Sequence, residues 1–279
     1  MKQRKIDLEQ YYTKESIAKK IVDIVHDKYN IDSFDIIIES SSGTGVFIKQ
    51  LLETSNNIKN KILYYDIDPR FPGTIKCDYL EHDIIKDINN INNNAKKIIV
   101  IGNPPFGRQS CLLKKFIKKS CMSATVVAFI LPCSFKKNSM IKSFPLNFHK
   151  EYEIDLPLNS FILNNTEYSV PCIFQIWIKK DYNRILPKKE YENDTYSFTT
   201  KDDCMFSFRR VGALAGKFEF DREKILSLSK ESNYFIKINH ENNILKDDLD
   251  KIIWKTNNTV AAKSISKQEL IYELNKIIR

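Results

Sequence analysis

The strongest constraint on how this chain folds is a recurrence. Short apolar, largely β-branched runs return at residues 34–39, 61–68, 98–101, 126–131 and 172–178. Between them, residues 46–54 and 112–122 read as helices or loops, and ahead of them residues 15–29 put Ile17, Ile21, Ile24 and Val25 on one helical face. Runs that stay apolar at successive positions belong to strands covered on both sides. Strands of that kind alternating with helices predict an α/β fold with a mostly parallel sheet between two helical layers. Such sheets bind ligands beyond the carboxyl ends of their strands. The least ordinary segments, ESSSGTG, DIDP, CDYL and NPPF, each follow a predicted strand.

The most informative is Asn103-Pro104-Pro105-Phe106, which ends the run IIVIG. Two prolines stop a strand and fix a rigid turn. Within such a turn the Asn103 amide oxygen and the Pro104 carbonyl can both accept hydrogen bonds from a planar exocyclic amino group, and Phe106 can stack on the base that carries it. Chemistry of this kind works by position and electrostatics and needs no catalytic His or Cys. Upstream, Gly43 and Gly45 allow a tight turn and close approach of a ligand, and Glu39 can anchor a positive group. Asp66, with Asp68 as its competitor, is placed to bind ribose hydroxyls. Asp78 and Tyr79 offer an acceptor and a ring for an adenine.

In order, Tyr11-Tyr12-Thr13, ESSSGTGVF, YYDIDP, CDYL and NPPF resemble the gamma-class adenine-N6 methyltransferases over roughly residues 10–180. The resemblance implies a Rossmann-like class I methyltransferase fold with a seven-stranded sheet, S-adenosylmethionine as cofactor and a C-terminal target-recognition domain. It assigns Thr13 and Glu39 to the methionine end of the cofactor, Asp66 to its ribose, and Asp78 and Tyr79 to its adenine. Asn103, Pro104, Pro105 and Phe106 then form the target-base site, and Phe161 or Tyr168 supplies a ring to the opposite face of the base. Ser40 and Lys14 stand where that family usually has proline, which predicts altered loop geometry.

The sequence changes character near residue 185. It is read as a catalytic domain, 1–185, and a small basic domain, 186–279, for target recognition or nucleic-acid binding. Arg209, Arg210 and Lys217 are its candidate phosphate contacts, with Tyr234, Phe235 and Lys237 nearby and Gly212 and Gly216 allowing close backbone approach. A formal net charge of +9 favours a polyanionic partner, DNA or RNA. The Asn-rich stretch 87–97 reads as a solvated loop. The charged N-terminus and the lack of a long apolar run predict a soluble intracellular protein without a membrane partner. The six scattered cysteines predict neither a metal site nor disulfides. The leading functional reading is adenine-N6 methylation of DNA, as in restriction-modification, and the nearest rival is methylation of RNA, including cap-adjacent adenosine. Further readings are methylation of a protein glutamine and a non-catalytic nucleic-acid-binding subunit; a homo-oligomer or partner subunit is compatible with all of them.

Overall fold

The computed structural model describes residues 11–163, 166–186, 188–239, 246–254 and 263–278, the side chains of Gln109 and Lys246 excepted. Residues 1–10, which carry most of the charged N-terminus, lie outside them. The chain divides into two compact units, 1–185 and 186–279.

The first unit begins with β1 (Tyr12–Thr13) and α1 (Glu15–Tyr29), then runs β2 (Ile36–Glu39), α2 (Val46–Thr54), β3 (Ile62–Asp66) and β4 (Ile75–Lys76). It continues through α3 (Ile84–Asn92), β5 (Ile98–Gly102), α4 (Cys111–Ser123), β6 (Val126–Pro132), α5 (Asn138–Ile141) and β7 (Phe148–Asp155). It closes with β8 (Phe161–Leu163), β9 (Thr166–Tyr168) and β10 (Cys172–Lys179). Seven strands form one sheet in the order β4-β3-β2-β5-β6-β10-β7, parallel except that β10 runs antiparallel to both neighbours. This is a Rossmann-like α/β fold with the seven-stranded, mostly parallel sheet expected from sequence.

Uninterrupted apolar strands serve two cores at once. Ile37, Ile99, Ile101 and Ala128 face a cluster with α1 and α2, while Ile36, Ile38, Val100 and Val127 face a second cluster that includes Leu113, Phe116 and Ile117 of α4. All three isoleucines of β2 are fully buried. Consecutive strands leave β2 in opposite directions, to β3 on one side and β5 on the other, and a crevice opens where the order reverses.

Two sequence expectations fail locally. The Asn-rich stretch is partly helical: α3 extends to Asn92, because Ile84 and Ile88, one turn apart, are buried and the Asp83 side chain accepts the Lys86 amide at the helix start. The edge strand β7 gave no signal in sequence, since Lys150, Glu151 and Glu153 interrupt any apolar run. A separate three-stranded sheet, β1-β8-β9, carries the Tyr11–Thr13 segment.

The second unit is a four-stranded antiparallel sheet, β11-β14-β12-β13, formed by β11 (Tyr196–Phe198), β12 (Phe206–Arg209), β13 (Phe218–Glu219) and β14 (Asn233–Ile238). Its helices are α6 (Arg222–Ser227), α7 (Lys246–Asp250) and α8 (Lys267–Ile277), the last started by a capping box between Ser266 and Glu269. Phe206, Phe208, Ile236, Leu270 and Leu274 build its core.

No helix among the described residues is long and apolar enough to cross a membrane. No group of three or more potential metal ligands occurs among them either. Cys121, Cys133, Cys172 and Cys204 are buried and unpaired, Cys77 is partly buried and Cys111 is exposed.

Candidate active site

A cavity of about 540 Å³ opens at the carboxyl ends of β2, β3 and β5. It gathers Thr13, Glu39, Gly43, Asp66, Asp78, Tyr79, Asn103, Pro104, Pro105 and Phe106, all named from sequence. Gly45, Phe161 and Tyr168 do not line it.

At its floor, Glu39 ends β2 with its side chain buried and neither carboxylate oxygen paired among the described residues. Burial, reinforced by the nearby charge of Asp66, holds its carboxyl well above the usual carboxylate range. Room for that side chain comes from Gly102, which sequence reading passed over: a Cβ there would collide with Glu39 Oε1. Two hydroxyls beside it, Thr13 Oγ1 and Ser40 Oγ, are likewise buried and unpaired among the described residues. Four unsatisfied polar atoms on one wall are costly in a folded protein, and such groups concentrate where a ligand completes them.

The glycine loop is tied to β3. Asp66 accepts the Gly43 amide through Oδ2 at 2.7 Å and the Asp68 amide through Oδ1 at 2.8 Å. Gly43 and Gly45 both take positive φ, and a Cβ at Gly45 would run into the Phe71 ring. Asp66 therefore orders the loop while remaining on the cavity wall. Its competitor Asp68 sits at the rim beside Arg70, 3.5 Å away. Asp78 is exposed, with one oxygen accepting the Leu80 amide at 2.9 Å. Tyr79 is a core residue more than a free ring: it stacks on Phe116 with centroids 5.4 Å apart, and its hydroxyl pairs with Ser120.

Asn103 has the most telling geometry. Its Nδ2 donates to the Tyr11 carbonyl oxygen at 3.1 Å, which turns Oδ1 the other way, where it is buried and unpaired among the described residues. Ser41 Oγ donates to the Asn103 carbonyl at 3.3 Å. The bond to Tyr11 thus fixes which end of the amide is turned towards the carbonyl and leaves the acceptor end unpaired. Phe106 is half-buried and packs against both core clusters of the unit. Tyr11, quoted in sequence only as part of a motif, acts through its main chain, so no side-chain pattern could reveal it.

Of the two rings expected over the target base, Phe161 is 1% exposed and locked in the core, where it pairs with Thr13 across β1 and β8. It is not available for stacking. Tyr168 is 38% exposed and stacks on Tyr11, with centroids 5.0 Å apart at 15°. Lys14, at one of the two proline positions, forms an ion pair with Glu167, next to Tyr168.

The second unit departs from its sequence reading. It carries 17 Lys and Arg against 15 Asp and Glu, so it is nearly balanced, while residues 1–185 carry 27 against 20. Arg209 Nε donates to the Val211 carbonyl, and Arg210 lies over the Tyr234 ring. Lys237 is paired with Asp203 at 2.9 Å, and Phe235 is buried. Lys217 is exposed. Gly216 makes room for Trp254, whose indole nitrogen donates to its carbonyl, so that close approach is already taken up internally.

No family model matches the chain. Over 114 residues it is 34% identical to ribosomal RNA small subunit methyltransferase A of Francisella tularensis subsp. novicida, covering 38% of this chain and 41% of that protein. The same enzyme from Francisella tularensis subsp. tularensis is 33% identical over the same length. The chain therefore matches about two fifths of these curated relatives. Among solved structures, the methyltransferase subunit of a type I restriction-modification system from Streptococcus thermophilus aligns with a TM-score of 0.44 at 16% identity, over 62% of this chain and 45% of that one.

Proposed function

We propose that this protein is an S-adenosylmethionine-dependent methyltransferase acting on the exocyclic amino nitrogen of adenine in nucleic acid, with DNA as the polymer suggested by the motif order. The observation that carries the proposal is the fixed amide of Asn103, its nitrogen donating to the Tyr11 carbonyl and its oxygen buried without a partner among the described residues. An unpaired acceptor held in place suits an amino group.

The wall around Glu39 fits the cofactor. Its buried carboxylate and the hydroxyls of Thr13 and Ser40 supply acceptors for the α-ammonium group of a methionine moiety, and Asp66 and Asp78 supply acceptors nearer the rim for ribose and adenine. When bound, S-adenosylmethionine supplies a methyl group activated by its sulfonium. The residues of this chain do the rest by placement. Asn103 Oδ1, together with the Pro104 carbonyl, would hold the amino nitrogen and offset the positive charge it gains as the methyl carbon passes to it from sulfur, whose bond breaks to leave a neutral thioether; the nitrogen would then lose one proton to solvent. Of the two rings named for the opposite face of the base, Tyr168 is the accessible one, and it lies outside the cavity, stacked on Tyr11, which does line it. A duplex base must first be extruded, at a cost of a few kcal/mol that an unpaired strand largely avoids.

The likeness to the Francisella ribosomal RNA enzyme favours a second reading, in which the adenine belongs to RNA. The chemistry is shared, so one experiment separates the two. Labelled methyl transfer to matched DNA and RNA oligonucleotides, single- and double-stranded, is expected to yield N6-methyladenine on one polymer, identified by mass spectrometry of the nucleosides. Cofactor binding without label on any oligonucleotide would overturn the reading.

A further inference from the structure

Charge in this chain is distributed unevenly along the sequence. From residue 88 to residue 150 there are 11 Lys and Arg and no Asp or Glu, whereas the other 216 residues hold 33 against 35. The whole positive excess of the protein therefore arises in one stretch, and that stretch contains the Asn103 turn.

The fold places much of this charge on one side of the sheet. Arg108 is exposed and lines the cavity directly after the turn. Next comes α4, which buries Leu113, Phe116, Ile117 and Cys121 and directs Lys114, Lys115 and Lys118 to solvent, with Lys119 half-buried. Lys142 is exposed beyond α5, between Phe135 and Phe144, which pack into the same core cluster as α4. None of these six side chains has an ion-pair or hydrogen-bond partner among the described residues. By contrast, Lys237 of the second unit has its own carboxylate. Lysines four apart on a helix repeat about every 6 Å along its axis, a spacing that suits successive phosphates of an extended strand.

We propose that the strand carrying the target base is held by its phosphodiester backbone along Arg108 and the outer face of α4, in the first unit, and that this surface, more than Arg209, Arg210 and Lys217, supplies the electrostatic part of binding. The inference rests on the functional reading above only for its direction, since the strand must lead into the cavity. Positive side chains without internal partners release counterions when they meet phosphates, and binding then weakens steeply with salt.

The test compares the full-length protein with K114Q/K115Q/K118Q/K119Q, with the matching four-Lys→Arg variant, and with R209Q/R210Q/K217Q. Affinity for labelled single-stranded RNA and DNA of equal length is measured across a salt series. The four-Gln variant is expected to bind about tenfold or more weakly and to lose about 2 to 3 from the slope of log affinity against log salt, while the Arg variant keeps both. Unchanged cofactor binding and thermal midpoint show that the fold is intact. The proposal is overturned if the four-Gln variant binds with unaltered affinity and slope, or if the loss appears in R209Q/R210Q/K217Q instead. Binding that depends on α4 in a protein that methylates no oligonucleotide would sustain this surface and defeat the functional reading alone.

Discussion

The two units of the molecule differ in where their unpaired polar atoms gather. In residues 1–185, Thr13, Glu39, Ser40 and Asn103 all bury oxygen atoms that have no partner among the described residues, and all four line one cavity. In residues 186–279 Ser207 Oγ is the single such side-chain atom among the described residues, and the larger polar groups are satisfied from within: Tyr196 by Asn275, Arg222 by the carbonyls of Lys201 and Asp202, Trp254 by Gly216. Buried unpaired oxygens lower stability, and several gathered on one cavity mark a place where a ligand can complete them. The contrast therefore separates groups held ready for a ligand from groups that hold a scaffold together.

Substituting each kind of group should break that contrast in a different way. The largest effect is expected for Asn103→Ala, which removes the acceptor and should lower the rate of methyl transfer by about a thousandfold or more with cofactor affinity nearly unchanged. Single-turnover kinetics alongside calorimetric cofactor binding checks this; full turnover would show that the base pocket lies elsewhere.

Glu39→Gln should act on the cofactor and on stability in opposite senses. Loss of the carboxylate should weaken cofactor binding by about 10- to 100-fold, the worth of a charge-assisted hydrogen bond. In the cofactor-free protein the Glu39 carboxyl is raised by burial, so above the unfolded pKa the unfolded chain ionises first and stability falls as pH rises. Gln escapes that penalty. The variant should therefore melt higher than the parent at pH 8, and the gap should close towards pH 4. Thermal unfolding at the two pH values reads it directly.

Gly216→Ala should have the smallest effect on turnover. A Cβ there meets the Trp254 ring at a φ of +99°, so the second unit should lose about 1–3 kcal/mol of stability while cofactor binding stays as it was. Denaturant unfolding followed by Trp254 fluorescence would report it.

Much of this was legible in sequence because strands covered on both faces leave an unbroken apolar signature, and because NPPF and the glycine loop are local motifs that a turn requires. What escaped reading was either non-local or carried by the main chain. Gly102 matters only through Glu39 on the neighbouring strand, and Tyr11 only through its carbonyl. Phe161 and Tyr168 have similar sequence settings, and only the pairing of β8 with β1 buries one of them. In the second unit, aromatic and basic residues interleave as they would on a nucleic-acid surface, yet Phe235 and Lys237 are spent on the core and on Asp203.

The bond from Asn103 to Tyr11 has a further consequence. A side-chain amide looks nearly the same turned end over end, yet one orientation welcomes an amino group and the other repels it. Here the choice between the two is made by a carbonyl on a short segment that β8 holds in place. The orientation of that amide is thus written in peptide backbone, out of reach of a change of side chain at Tyr11, and it depends on that small sheet staying paired.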